Sequence, residues 1–197
     1  MRALRVVLVT VWAALAAGQG VRHWAETETG TIWRGRYKNC DYGYAVILPE
    51  GVVAHADLPP NPNHGFLVSA RDPDATAQVT WAEPRIISVI NNYDAGDAGS
   101  AHAYLNQNRD KDEEVVETKN LKIKGLPAAY GHYRMTQGKG TVERIKLVLY
   151  RRGPDAILYE ISLTTPAEYF SEDSILYNKI RDGFKVLPPP KGECSND

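Results

Sequence analysis

The sequence predicts an α+β domain in which an antiparallel β-sheet of about seven or eight strands carries one mid-chain helix and one C-terminal helix. Two observations support this fold class: apolar and polar residues alternate through neighbouring segments, and short turns join those segments. Ile145, Leu147 and Leu149 fall on one face of a strand, with Arg144 and Lys146 on the other, before a loop at 151–155. The segment 157–164 repeats the period of two after the loop. These two segments are predicted to form an antiparallel hairpin.

The first 18 residues are predicted to be a secretory signal peptide. Basic residues precede an apolar run at 6–14, and small residues follow it. This run is shorter than the ~20 residues that a membrane-spanning helix needs, so cleavage is favoured over a retained anchor. We place the cut after Gly18, with Ala16 and Gly20 as alternatives. The mature protein is therefore expected to be secreted or periplasmic, with no membrane span.

The N-terminal half of the domain is predicted from short alternating runs and the turn residues between them. A polar lead-in at 19–36 is expected to be exposed, or to dock a short piece through its tryptophans. The prolines in the loop at 58–64 remove backbone donors and interrupt the pattern. The predicted strands in this half are 42–48, a hairpin formed by 65–71 and 76–81, and a central strand at 85–90.

The C-terminal half is predicted to contain both helices. Ser100 or Asp97 is expected to cap a helix that runs to about Asn108. The segments 115–123 and 128–135 alternate as two further strands. A hydroxyl cap at Ser171, followed by two acidic residues, starts the last helix, whose buried stripe is predicted to be Leu176, Ile180 and Phe184. The domain is thus expected to span 37–187, followed by a Pro-rich tail at 188–197.

The chain contains only two cysteines, Cys40 and Cys194. In an exported protein this count predicts one disulfide, which would close nearly the whole domain and stabilise it by about 4–5 kcal/mol in the loop-entropy model. The alternative is two unpaired thiols, because Cys194 lies in the C-terminal tail. Two cysteines are too few for a Cys-rich zinc site.

The order of the predicted elements resembles that of the PsbP-type α/β sandwich superfamily. The likeness lies in Tyr-Gly-Tyr-Ala-Val-Ile-Leu-Pro at 42–49, Gly-Leu-Pro-Ala-Ala-Tyr at 125–130 and Ile-Leu-Tyr-Glu-Ile-Ser-Leu-Thr-Thr-Pro at 157–166. It covers about 37–187. The resemblance implies a sandwich fold and a non-enzymatic role in binding or stabilising other molecules. No functional residue of the family is carried over, and the Pro-rich loop departs from the pattern.

One surface of the predicted hairpin is a candidate binding site. Arg144, Lys146 and Arg152 are expected to project from the same face, with Tyr150 close to them. Tyr133 and Arg134 are predicted to lie nearby. Together these side chains are expected to bind a small anionic ligand or an acidic patch on a partner protein. The alternative is a sheet face that is solvated or covered by the mid-chain helix.

Motifs for catalysis, metals and cofactors are missing from the sequence. It has no G-x-S-x-G elbow, its histidines show no H-x-H or H-x-x-x-H pair, and no cofactor is predicted. With 23 basic and 24 acidic residues, the charge balance also argues against nucleic acid as a partner. The remaining catalytic candidates are His132, Glu143 and Asp155, which lie near the best-defined strands.

Three hypotheses for function remain. The first is an exported, non-enzymatic binding or scaffold module whose ligand is unknown. The second is a hydrolase-like enzyme whose site is assembled from dispersed residues, which requires a deep pocket with converging titratable groups. The third is an inhibitor or immunity-like partner protein, which requires an exposed aromatic patch such as Tyr37, Tyr42 and Tyr44. Oligomeric state is left open.

Overall fold

A computed structural model describes residues 24–27, 30–56, 64–92, 98–138, 140–153 and 156–187. This part of the chain contains twelve strands, two α-helices and one 3₁₀ turn, Ala167–Tyr169. In chain order the elements are β1 Trp24–Thr27, β2 Gly30–Arg34, β3 Arg36–Asn39, β4 Tyr44–Ile47, β5 Val53–His55, β6 Gly65–Ser69, β7 Ile86–Asn92, α1 Ala101–Gln107, β8 Glu114–Ile123, β9 Leu126–Gln137, β10 Gly140–Arg151, β11 Ile157–Pro166, α2 Phe170–Gly183 and β12 Phe184–Val186.

The strands form two antiparallel sheets, which confirms the predicted α+β class. The large sheet has nine described strands in the order β1-β2-β5-β6-β7-β11-β10-β9-β8, and the small sheet has the order β12-β4-β3. The predicted β10–β11 hairpin is present, with Leu147 opposite Ile161. Neighbouring strands in the large sheet are mostly close in sequence, as expected for a sheet built from hairpins.

The main core lies between the large sheet and a layer made by the small sheet and α2. Ile87, Leu147 and Ile161 point into it from the large sheet, and Tyr177 of α2 and Phe184 of β12 cover them. The opposite face of the large sheet is covered in part by α1, which packs on β9 and β10. The fold is therefore a sandwich in which the centre of one sheet face is buried by the second layer and the other face is covered only in part.

The capping prediction holds for α1 and is wrong for α2. Ser100 precedes α1, and its Oγ accepts a hydrogen bond from the backbone N–H of Ala103 at 3.1 Å. The residue before α2 is Tyr169, whose side chain makes no capping bond, and Ser171 already lies inside the helix. The 3₁₀ turn that leads directly from β11 into α2 takes the place of a side-chain cap.

Two predicted segments have a different structure. The segment 76–81 is a loop rather than a strand, because its buried residue Val79 fills a small apolar cluster on the sheet instead of pairing with β6. The lead-in is not exposed at its C-terminal end, since β2 pairs with β5 and Trp33 packs edge-on against Tyr37 with ring centroids 5.2 Å apart. The sheet therefore begins upstream of residue 37.

Several predictions concern residues outside the described ranges. The signal peptide, the Pro-rich loop at 58–63 and the tail at 188–197 all fall there, as does Cys194. Cys40 lies in the turn between β3 and β4, where its carbonyl oxygen accepts a hydrogen bond from the Gly43 N–H at 3.2 Å. The disulfide thus stays a prediction. No helix in the described part of the chain is both long and apolar enough to cross a membrane.

A buried ion pair fastens the start of α2 to the large sheet. Arg85, directly before β7, donates from Nε to the Asp173 carboxylate at 3.0 Å, and its Nη2 reaches Glu172 at 2.8 Å. Thr165 of β11 donates to the same Asp173 carboxylate at 2.6 Å. Only 1% of the Asp173 side chain is exposed, whereas 71% of the Glu172 side chain is exposed. Asp173 is therefore the partner that compensates the buried guanidinium.

Replacing Asp173 with alanine is expected to destabilise the protein by about 3 kcal/mol or more, because the Arg85 charge would stay buried without its main partner. The matched control is Glu172→Ala, which removes an exposed partner and is expected to cost less than about 1 kcal/mol. Urea denaturation of both variants measures the difference. If both variants lost the same free energy of unfolding, burial of the Arg85–Asp173 pair would not explain its contribution to stability.

Candidate functional site

A polar groove of about 270 Å³ lies on the face of the large sheet that α1 covers only in part. We call it the sheet groove. Its floor comes from alternate residues of β7, β11 and β10, and its rim comes from the loop before β7. The lining residues are Ile86, Ser88 and Ile90 of β7, Glu160, Ser162 and Thr164 of β11, Arg144 and Lys146 of β10, and Trp81 and Glu83 of the loop.

Strand register brings these residues together. Ser162 lies opposite Lys146 on one side and Ser88 on the other, so the three form one row across the floor. Successive side chains of a strand point to opposite faces, so this row and its neighbours are on the face away from the main core. The two hydroxyls are within hydrogen-bond distance, with 2.6 Å between Ser88 Oγ and Ser162 Oγ.

The predicted cations Arg144 and Lys146 do line the groove, but both already have partners. Arg144 Nη1 donates to Asp110 and to Glu113, each at 2.7 Å, in the loop that follows α1. Lys146 Nζ donates to the backbone carbonyl of Asn108 at 2.9 Å. The mid-chain helix thus covers this face in part, as the alternative interpretation of the sequence allowed. The groove does not offer an uncompensated positive charge.

Glu160 is the buried acid of the groove. Its residue exposure is 8%, and it shares the floor with Lys146 and Ser162. Burial raises the pKa of its carboxyl, while the nearby cations Lys146 and Arg144 oppose that rise. One feature of the sequence indicates a polar site here: Glu160 and Ser162 interrupt an otherwise apolar stretch of β11.

Trp81 provides an exposed aromatic surface at the rim. Its exposed fraction is 53%, which is high for a tryptophan in a folded domain. The loop before Trp81 is anchored to the large sheet because Val79 packs against Leu67 and Ile86. The ring therefore stands beside the polar floor on an anchored loop. Sequence reasoning placed Trp81 in a strand and did not connect it with a site.

The other residues of the predicted anion site are spread over different environments. Tyr150 is buried in the small cluster beneath α1, and Tyr133 is buried on the same face. Arg134 points to the opposite face, where its Nε donates to Glu143 at 2.8 Å. Arg152 is exposed in the turn after β10. Of the four predicted binding residues Arg144, Lys146, Arg152 and Tyr150, only Arg144 and Lys146 therefore belong to the groove.

The structure brings together two of the three weak catalytic candidates. His132 Nε2 lies 2.8 Å from Glu143 Oε2, and the imidazole stacks on Phe170 with ring centroids 4.9 Å apart. Arg134 binds the other oxygen of Glu143, so this carboxylate is shared by two partners. Asp155 lies outside the described residues. In the described ranges, no cluster of three histidine, cysteine or acidic side chains is arranged to hold a metal ion.

The exposed aromatic patch that the inhibitor hypothesis requires is not formed by the three predicted tyrosines, because all three are core residues. Tyr37, Tyr42 and Tyr44 are all less than 9% exposed. Tyr44 also donates a hydrogen bond to the Asn91 side chain at 2.8 Å and packs on Phe184. Their alternation reflects the layer between the two sheets, which buries both strands of the tyrosine-rich hairpin.

A second cavity, of about 450 Å³, lies between the C-terminal end of α2 and the main-core face of the sheet. Its apolar lining includes Leu147, Leu149 and Phe184, which are almost fully buried. The Lys124 ammonium at its edge donates to the carbonyl oxygens of Phe184 and Asp182. Ligand sites usually combine an apolar lining with a few available polar groups. Here Lys124 is engaged by the backbone, and the Arg181 guanidinium is paired with the Asp182 carboxylate.

Replacing Glu160 with glutamine tests whether the pKa of its carboxyl is raised in the folded protein. A carboxyl with a raised folded-state pKa binds protons more tightly in the folded than in the unfolded chain, so its contribution to stability falls as pH rises above about 4.5 through the raised value. Glutamine does not titrate. The stability of Glu160→Gln relative to the original protein is therefore expected to increase over that pH window, as measured by urea denaturation. A constant difference across pH would contradict the raised pKa.

The fold, but not the sequence, has matches among known proteins. No protein-family model and no curated protein sequence matches the chain. LpqN of Mycobacterium tuberculosis, described as involved in cell envelope biogenesis, is 10% identical with a TM-score of 0.53 and aligns over 74% of this chain and 83% of its own. Cyanobacterial PsbP (CyanoP) from Synechocystis is 17% identical with a TM-score of 0.50 and aligns over 87% and 96%.

A third structure, the Saccharomyces cerevisiae Ran-binding protein Mog1p, is 14% identical with a TM-score of 0.46 and aligns over 77% of this chain and 94% of its own. At these identities the matches concern the fold alone. The matches to LpqN and CyanoP confirm the predicted resemblance at the level of the fold: the chain has the PsbP-like α/β sandwich fold.

Proposed function

We propose that the protein is an exported, non-catalytic binding module whose sheet groove holds a small, neutral, hydroxyl-rich ligand of the saccharide class. The observation that carries this proposal is the combination of a charge-compensated polar floor with an exposed tryptophan at its rim. The PsbP-like fold is compatible with such a role, although fold alone does not determine function. The proposal replaces the small anionic ligand expected from the sequence.

Charge compensation favours a neutral ligand over an anion. To bind an anion through Arg144, the ligand would have to compete with Asp110 and Glu113, which already contact the guanidinium at 2.7 Å. Both carboxylates would also repel it. The Lys146 ammonium is close to Glu160, whose ionised form balances its charge. An uncharged ligand pays no such electrostatic cost on entering the groove.

The remaining groups match a polyhydroxylated molecule. The hydroxyls of Ser88, Ser162 and Thr164 can each donate and accept hydrogen bonds, as sugar hydroxyls do. A bound sugar would exchange its own hydroxyls for the Ser88–Ser162 and Arg144–Thr164 hydrogen bonds. The exposed Trp81 ring gives a flat apolar surface against which the C–H face of a sugar ring can stack. The groove volume of about 270 Å³ is just below the range of about 300–1,000 Å³ for ligand pockets, so we expect a small ligand.

Binding of saccharides is tested by titrating the purified protein with a panel of mono- and disaccharides while following tryptophan fluorescence and saturation-transfer NMR. Trp81→Ala is expected to weaken binding about tenfold, which corresponds to about 1.4 kcal/mol. Ser162→Ala is expected to weaken it by a similar factor through loss of a hydrogen bond. The control is Ile175→Ala, an exposed apolar residue on α2 that is remote from the groove.

Varying the ionic strength and adding anions distinguishes saccharide binding from anion binding. Saccharide binding should be nearly independent of ionic strength, because no net charge is exchanged. If the panel does not bind, and phosphate or a carboxylate binds in a salt-sensitive manner that Arg144→Glu abolishes, the anion site expected from the sequence is correct and the saccharide proposal fails.

Export and the disulfide belong to the same proposal. The envelope role described for LpqN is compatible with a location outside the cytoplasm. We expect the exported protein to begin at Gln19, after cleavage behind Gly18, and to contain a disulfide between Cys40 and Cys194. Intact-mass analysis with and without reductant measures both features. A mass that includes Met1, or one that reduction leaves unchanged, contradicts the corresponding part.

A further inference from the structure

Strand β8 forms one edge of the large sheet and is exposed along its length. It pairs with β9 on one side only, and no other described strand lies beside it. Nine of its ten residues are exposed, and the last is partly exposed. An edge strand of this length presents a row of backbone N–H and C=O groups that can pair with another strand. The strand contains no proline that would prevent such pairing.

Charge along β8 changes sign at its centre. Glu114 and Glu117 lie in the first half of the strand, and Lys119 and Lys122 lie in the second half. Glu117 and Lys119 are on the same face, since Glu117 Oε1 and Lys119 Nζ are 2.6 Å apart. A strand with this charge order is complementary to an antiparallel copy of itself. Side-by-side parallel copies would instead bring like charges together.

We propose that two copies of this chain associate through antiparallel pairing of their β8 strands, with the two-fold axis at Thr118. In this register Glu117 of each copy lies opposite Lys119 of the other, so the ion pair within each strand is supplemented by two cross-strand pairs. The pairing is isologous, since the same patch is used twice, and it joins the two nine-stranded sheets edge to edge. It goes beyond the proposed ligand binding and does not depend on it.

Exposed apolar side chains lie on both sides of the proposed axis. Val115, Val116 and Leu121 are 41%, 43% and 39% exposed. Antiparallel pairing about Thr118 brings Leu121 of one copy towards the valines of the other, which removes apolar surface from water. The β-bulge between Val115 and Glu117 limits the regular ladder to the centre of the strand. The interface is therefore expected to be short and its dissociation constant micromolar or weaker.

A second copy is favoured over a foreign peptide because the charge order of β8 is self-complementary. Lysines and bulges on edge strands normally discourage pairing, since they place unmatched charge and twist at the edge. Here the two-fold arrangement matches Lys119 with Glu117, whereas an axis at Glu117 or at Lys119 would place like charges opposite each other. The charges of β8 thus discourage unspecific pairing and favour the antiparallel pairing about Thr118.

Charge reversal provides the test, using the purified protein in sedimentation equilibrium from about 1 μM to about 1 mM at low salt. The unaltered protein should form dimers. Glu117→Lys and Lys119→Glu should each raise the dimer dissociation constant about tenfold or more, because both cross-strand contacts become repulsive. An equimolar mixture of the two variants should dimerise again, since each then faces its opposite charge.

A control and a site-specific readout accompany the test. Lys179→Glu reverses an exposed charge on α2 and should leave association unchanged. Amide hydrogen exchange should show protection in β8 that increases with protein concentration. The proposal is overturned if the unaltered protein is monomeric at every concentration, if the mixture behaves like the single variants, or if the protected amides lie outside β8.

Discussion

The register of β10 with β11, and of β11 with β7, is the constraint on which the rest of the structure depends. Ile161 lies opposite Leu147 on one side and Val89 on the other, so these side chains enter the core and the intervening residues reach the other face. A shift of one residue would exchange the two sets and place Lys146 and Glu160 in the main core. Core and groove are therefore two consequences of one pairing.

Buried charge is used differently on the two faces of this sheet. On the core side, Arg85 and Asp173 form a closed pair that joins the sheet to α2, and Thr165 completes the hydrogen bonds of the carboxylate. On the other side, Lys146 and Glu160 border the sheet groove. The first arrangement holds two layers together. The second places polar side chains on the part of the sheet that α1 does not cover.

The open form of the large sheet explains why part of its face and one of its edges stay uncovered. A sheet that does not close into a barrel keeps its edges, and a single short helix cannot cover a nine-stranded face. The uncovered part of the face becomes the groove, and β8 is an exposed edge. On both surfaces oppositely charged side chains lie close together, as Arg144 and Glu113 do beside the groove and Glu117 and Lys119 do on β8.

The sequence by itself determined the local structure of this protein. The alternation in β10 and β11, the Ser100 cap and the turn signals predicted the α+β class, because they depend on neighbours along the chain, and the resemblance to the PsbP-type superfamily added the sandwich. It did not determine the Arg85–Asp173 pair, the loop at 76–81, the burial of Tyr44 or the partners of Arg144. These depend on packing between distant segments: Arg85 and Asp173 are 88 positions apart. Only the tertiary structure decided which polar side chains meet, because the hydrophobic periodicity of one strand or helix does not indicate which distant segment packs against it.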